Sequence, residues 1–200
     1  MFAIGPAFFA SAAPAAAPPP PPPFGAYAIW NAADKGAACV LSAASLRATG
    51  PQADGSVRST VSVDSGKWYW EVTSSGNRFP ITGIGRASAT LATYPGGDAD
   101  GYAYYGAFTL KVNALAFEAY GVDWTGPDVI GVALDMDAGT LEFYRNGASM
   151  GIAYSGLVGS FFAMTGGDSG APSDTTANFG QFAFAHEPPA GFNAGLYGPP

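Results

Sequence analysis

A period of two runs through much of this chain. In Gly66–Thr73, Trp68, Trp70 and Val72 fall on one side and Tyr69 and Glu71 on the other, the pattern of a strand. Pro80–Arg86 (PITGIGR) predicts a second strand, with glycines where close packing or a bulge is needed. Gly101–Tyr105 (GYAYY) predicts a short aromatic one. Val129–Leu134 is continuously apolar, so it should be buried on both faces. Asp137-Ala138-Gly139 turns the chain into a strand over Thr140–Arg145. That strand ends at Asn146-Gly147, a hairpin signal because both residues accept positive φ. Ala37–Ser42, Phe161–Gly166 and Thr176–Phe179 supply further strands, and no segment carries a helical apolar period. Short strands divided by frequent turns predict an all-β protein, an antiparallel β-sandwich.

The first 23 residues break this pattern. Met1–Ala10 is apolar, with Phe2, Ile4, Phe8 and Phe9, and Ser11–Pro23 is Ala/Pro-rich and closes on six prolines, Pro18–Pro23. Such a run adopts polyproline II, and at about 3.1 Å per residue it makes a spacer of about 19 Å. The organisation expected is therefore an extended N-terminal arm over residues 1–23 and a sandwich over residues 24–200. Bulky apolar residues are unusual at a solvated terminus, so the arm reads as an anchor that plugs into a larger assembly. It lacks the basic start of a secretory signal, and Pro6 interrupts its apolar run, which makes secretion the weaker reading. No stretch is long and apolar enough to span a bilayer.

Composition narrows the partners. Two hundred residues allow one domain with a sizeable core, and 28 Gly and 17 Pro suit a turn-rich β fold. A net charge of −7 would repel a phosphate backbone and an anionic membrane, so neither is an expected partner. Cys39 is the only cysteine, which excludes an intrachain disulfide and reads as a small buried hydrophobe.

Five motifs occur in an order that resembles the SPRY (B30.2-like) family. They are Trp30–Lys35 with Val40–Thr49, GKWYWEV at 66–72, GDADGYAYYG at 97–106, DVIGVALDMDAGTLEFYRNG at 128–147, and ANFG at 177–180 with PPAGF at 188–192. The resemblance implies a bent antiparallel sandwich related to lectin-like folds, which binds a protein segment or another ligand through loops at one rim. Signature residues such as Trp68, Trp70, Asn146 and Gly147 are then scaffold, and function falls to the loops. By motif position the resemblance brings together Arg47–Asp54, Thr93–Gly96 and Thr165–Ser169. The binding candidates it implies are Arg47, Pro51, Gln52, Tyr94, Thr165 and Asp168. Trp124 joins them because a large aromatic in a loop suggests an exposed contact.

Other chemistry is weaker. Gly167-Asp168-Ser169-Gly170 spells the string around a protease nucleophile, but the only histidine, His186, follows the serine and Ala171 stands where a glycine is needed. Nothing in the sequence joins Cys39 to His186. Asp135 and Asp137 could pair as glycosidase carboxylates, yet they read better as turn acids. Asp98 and Asp100 offer oxygens to Ca²⁺ without the rest of a binding loop. Tyr102, Tyr104 and Tyr105 read as core.

The expectation is thus a non-enzymatic binding module without cofactor or metal. Its first form is a minor bacteriophage virion protein: a head fibre, decoration protein or tail adhesin. In that form the arm holds the capsid or tail, copies assemble as a homo-oligomer, and the rim faces a host surface protein or glycan. Its alternatives are an intracellular adaptor that recognises a peptide motif and a secreted glycan-binding lectin.

Overall fold

A computed structural model describes residue 22 and residues 25–75, 80–124 and 126–198. The strands in chain order begin with β1 (Ala26–Tyr27), β2 (Trp30–Lys35), β3 (Val40–Ser42), β4 (Arg47–Gly50), β5 (Gly55–Val63) and β6 (Lys67–Ser74). There follow β7 (Ile81–Gly85), β8 (Gly101–Tyr105), β9 (Leu110–Asn113), β10 (Ala116–Ala119), β11 (Val129–Asp135) and β12 (Thr140–Arg145). The last are β13 (Ala148–Ser155), β14 (Phe161–Gly167), β15 (Ser173–Asn178), β16 (Asn193–Ala194) and β17 (Tyr197–Gly198). One sheet has the order β10-β9-β8-β7-β14-β5-β2, and the other β13-β12-β11-β6-β15-β4-β3. β16 adds a short parallel pairing to β6, and β1 pairs with β17. The expected antiparallel sandwich is what forms. The anchor candidates Phe2, Ile4, Phe8 and Phe9 lie outside the described residues.

The core lies between the sheets. Trp70, Val72, Ile130, Val132, Leu134 and Phe143 face it from one side, and Val57, Ile84, Tyr104 and Phe161 from the other. Phe179 closes one end, its ring edge-on to Trp30 at 4.9 Å and 6.4 Å from Trp70. Central β11 is buried on both faces, as its apolar run requires. Gly131 supplies the space on the far face, where a Cβ would stand 2.6 Å from Cε2 of Tyr69. Asn146 and Gly147 turn the chain at φ 50° and 79°.

β6 is covered more fully than its alternation suggests. Tyr69 and Glu71, on the face away from the core, are 1% and 4% exposed. The C-terminal segment crosses them. Glu71 accepts the N–H groups of Ala185 (2.8 Å) and His186 (2.9 Å), and Phe184 packs edge-on to Tyr69. A buried carboxylate thus fastens a segment that has almost no regular structure of its own.

The described cations are bonded inside the fold. Arg58 grips Asp34 with two bonds of 2.7 and 2.8 Å, Arg145 pairs with Asp128, Arg86 with Asp100 and Lys111 with Glu118. Lys67 pairs with Asp135 at 2.8 Å, and Lys35 donates to the Cys39 carbonyl. Cys39 itself is buried, and burial pushes its thiol up to about 11 against the lowering effect of Lys35.

The Asp135 pair has a pH signature. Burial raises the Asp135 carboxyl, but Lys67 and the turn amides of Ala138 and Asp137 outweigh it and hold it below the usual carboxylate range. A group depressed in the folded state stabilises above its unfolded pKa of about 3.9 and loses that contribution as pH falls through the lower folded value. Asp135→Asn should therefore unfold at less urea than the parent at pH 7, with the gap closing below about pH 3. Urea midpoints across that range check it, and a gap independent of pH would exclude the linkage.

Candidate functional site

One end of the sandwich collects the ends of β4, β6, β8 and β14 and the starts of β5, β7, β11 and β15. Loops 51–54 and 168–172 and the short helical turn Gly106–Phe108 leave from this rim. Loop 86–100 starts at the opposite end, where Gly85 pairs with Gly101, and doubles back over the outer face of the first sheet. Leu91 accepts the Ser56 N–H (3.2 Å), and Gly96 accepts that of Leu115 (3.3 Å). Those bonds deliver Tyr94 to the rim.

Three loops then meet. Asp54 Oδ1 accepts the Ser169 N–H at 2.7 Å, and Gln52 Nε2 donates to the Gly170 carbonyl at 3.0 Å. Asp168 accepts the N–H groups of Gly170 (2.8 Å) and Ala171 (3.4 Å) on Oδ1 and the Tyr105 hydroxyl on Oδ2. The Tyr94 ring lies 6.4 Å from Tyr105 and 6.5 Å from Phe117. Its hydroxyl titrates above the usual phenol range, first through burial and then through the charges of Asp168 and Asp54. Asp168, bonded to Tyr105, and Asp54, bonded to Ser169, thus border an aromatic patch. Phe117 is 47% exposed, and beneath the patch Ile81, Ala103, Tyr105 and Val112 form a second small core.

Gln52, Tyr94 and Asp168 are thus together, with Pro51 exposed beside them. Three other candidates sit differently. Arg47 belongs to β4 rather than to a loop, and its guanidinium forks onto buried Asp174 at 2.8 and 2.6 Å. Thr165 is not on a loop either. β14 continues through Gly167, and Thr165 is 0% exposed, its hydroxyl bonded to the Ile81 carbonyl and paired with the Thr175 hydroxyl. Trp124 lies outside regular structure as expected but is 1% exposed, which corrects its reading as an exposed contact. It stacks on Tyr104 and donates to the Asp128 carbonyl, and it fits because Gly106 leaves room beneath it. The sequence reading missed Phe117 and Asp54, since it gave β9 and β10 no strand and singled out Gln52 rather than Asp54 within its loop.

The remaining chemistry dissolves into structure. Ser169 has Asp54 on its backbone, while His186 stands beside Gly147 and Glu71. At the end opposite the rim, Asp135 accepts the turn amides of Asp137 and Ala138, and Asp137 accepts the Gly66 N–H. Asp98 caps the Thr90 and Asp100 amides. Among the described residues no three His, Cys, Asp or Glu side chains cluster to hold a metal ion.

Residues 67–181 match the sequence profile of the SPRY domain. The chain belongs to the SPRY family. A stretch of 104 residues is 36% identical to the E3 ubiquitin-protein ligase RKP of Arabidopsis thaliana, covering 51% of this chain and 8% of that protein. A stretch of 97 residues is 34% identical to the ATP-dependent RNA helicase DDX1 of Xenopus laevis, covering 48% of this chain and 13% of that protein. The chain therefore spans a small part of the curated relatives it matches. The solved SPRY domain of human HERC1 superposes with a TM-score of 0.62 over 74% of this chain and 96% of that one, at 18% identity. Of the rim, loops 92–96 and 168–171 lie within the matched residues, and loop 51–54 precedes them.

Proposed function

We propose that this SPRY domain is an adaptor module that docks a short segment of a partner protein on the rim formed by loops 51–54, 92–96 and 168–171. One observation carries the reading: loops 51–54 and 168–171 are hydrogen-bonded to each other, and the loop through Tyr94, fastened to Ser56 and Leu115, lays its ring beside Tyr105 and Phe117, so that the three border one aromatic patch. Aromatic side chains on a rigid, pre-bonded frame are what a binding hot spot needs. The relatives, a plant ubiquitin ligase and a frog helicase, are large proteins in which a SPRY segment is a minor part. They favour the adaptor over display on a virion, a reading that leans on residues 1–23. Among the described residues no helix is long and apolar enough to cross a membrane.

A random-peptide library selected on the immobilised full chain tests this. Enriched peptides should bind Tyr94→Ala and Phe117→Ser about tenfold or more weakly. They should bind Val158→Ser as they bind the parent, since Val158 is 72% exposed in the loop before β14, at the far end. Peptides that ignore Tyr94 and Phe117 would move the docking surface elsewhere.

A further inference from the structure

The sign of the charge at the rim identifies what kind of segment it takes. All seven described Lys and Arg side chains are bonded within the fold: six to carboxylates and Lys35 to a carbonyl. Arg47, the cation nearest the rim loops in sequence, has both arms of its fork on Asp174. Asp54 and Asp168 stand apart from this pattern. Their recorded partners are backbone amides and the Tyr105 hydroxyl, and none of the described cations pairs with either. Asp168 holds the Tyr105 hydroxyl, the Tyr105 ring lies beside Tyr94, and Asp54 holds the adjoining Ser169, so both carboxylates share one small region with the patch of Tyr94 and Phe117. An apolar surface edged by carboxylates that none of the described cations pairs with complements a ligand that joins an apolar side chain to a cation. A cation there gains from the carboxylates and from the faces of the aromatic rings together. An acidic segment would meet two like charges instead.

We propose that the rim recognises a partner segment in which an arginine or lysine lies next to an aromatic or aliphatic side chain. The cation sits between Asp54 and Asp168, and the apolar group lies on Tyr94 and Phe117. This rests on the docking function proposed above and adds the chemistry of the occupant. The planar fork of arginine suits it better than lysine, because it can bond a carboxylate and stack on a ring at once.

The peptides enriched on the full chain provide the test. They should carry more Arg and Lys than the starting library, and synthetic copies should bind less tightly as salt rises from about 50 to 500 mM. Asp54→Asn should weaken them about threefold to tenfold, and Gln52→Lys, which places a cation on the same edge, at least as much. Asp54→Glu should restore most of the loss. These substitutions are chosen because Asn at 54 keeps an oxygen for the Ser169 amide and Lys at 52 keeps a donor for the Gly170 carbonyl, whereas Asp168 fastens two amides and the Tyr105 hydroxyl at once. Circular dichroism identical to the parent secures the comparison. Neutral or acidic winners that still need Tyr94 and Phe117 would overturn the charge assignment and leave rim docking intact. Basic winners indifferent to Asp54→Asn and Gln52→Lys would overturn it as well. Winners that ignore Tyr94 and Phe117, or no enrichment at all, would overturn both readings.

Discussion

Gly83→Ala is expected to cost about 3 kcal/mol or more. Gly83 lies in β7 between β14 and β8, and a Cβ there would stand 2.7 Å from Cα of Ala103 and 2.9 Å from the carbonyl carbon of Tyr102, with the Tyr102 oxygen closer still. These are backbone atoms of the adjacent strand, held by the β7–β8 ladder, so no rotamer change relieves the contact. Overpacking against flexible side chains costs about 1–3 kcal/mol, and a rigid obstacle takes the loss to the upper end or beyond. The neighbouring position provides the contrast. A Cβ on Gly85 would meet the sulfur of Met164, the mobile part of an unbranched side chain. Gly85→Ala should therefore cost about 1 kcal/mol. Urea titration followed by tryptophan fluorescence separates the two, and a Gly83→Ala midpoint close to the parent's would refute the packing argument.

Phe179→Ala should cost about 3–5 kcal/mol. The ring is fully buried, touches Trp30 and Trp70, and lies where the final residues return to the core. Its carbonyl accepts the Leu196 N–H, so the same residue secures the path of the C-terminal segment. A domain of this size holds about 5–15 kcal/mol in all, so the loss takes up much of the margin. Phe179→Leu keeps most of the volume and should lose less than about 2 kcal/mol. Equal losses for Ala and Leu would mean that the edge-on aromatic contacts, rather than filled volume, dominate there.

The scaffold was legible because its signals are local. The run in β11 and the Asn146-Gly147 turn state their own conformations, and the period of β6 marks it as a strand. The rim was legible only in part. Tyr94, Gln52 and Asp168 could be brought together from the sequence because their loops flank the family's strands, before or after, at fixed places. Thr165 was misplaced because nothing in Thr-Gly-Gly distinguishes the end of a strand from the start of a loop. Trp124 was misread because burial of an irregular segment depends on a partner far away in sequence, here Tyr104 beside Gly106. Phe117 was missed for a backbone reason. Its hairpin turns at Ala114 and Leu115, with φ of 52° and 62°, a conformation that usually needs Gly or Asn. The turn is held from outside by the Asp98 and Gly96 carbonyls, which accept its two amides, so no residue within it announces it.

The pairing of β1 with β17 also bears on how this domain is carried. Trp68 packs on Tyr197, and Val61 lies beside Gly198, which puts the pair at the pole away from the rim. The polypeptide enters and leaves at one spot, like a bead hung from a single knot. A longer protein can therefore take up such a unit within a loop without stretching its own fold. Ala26 and Gly198 thus stand together at the back of the described domain, away from the front.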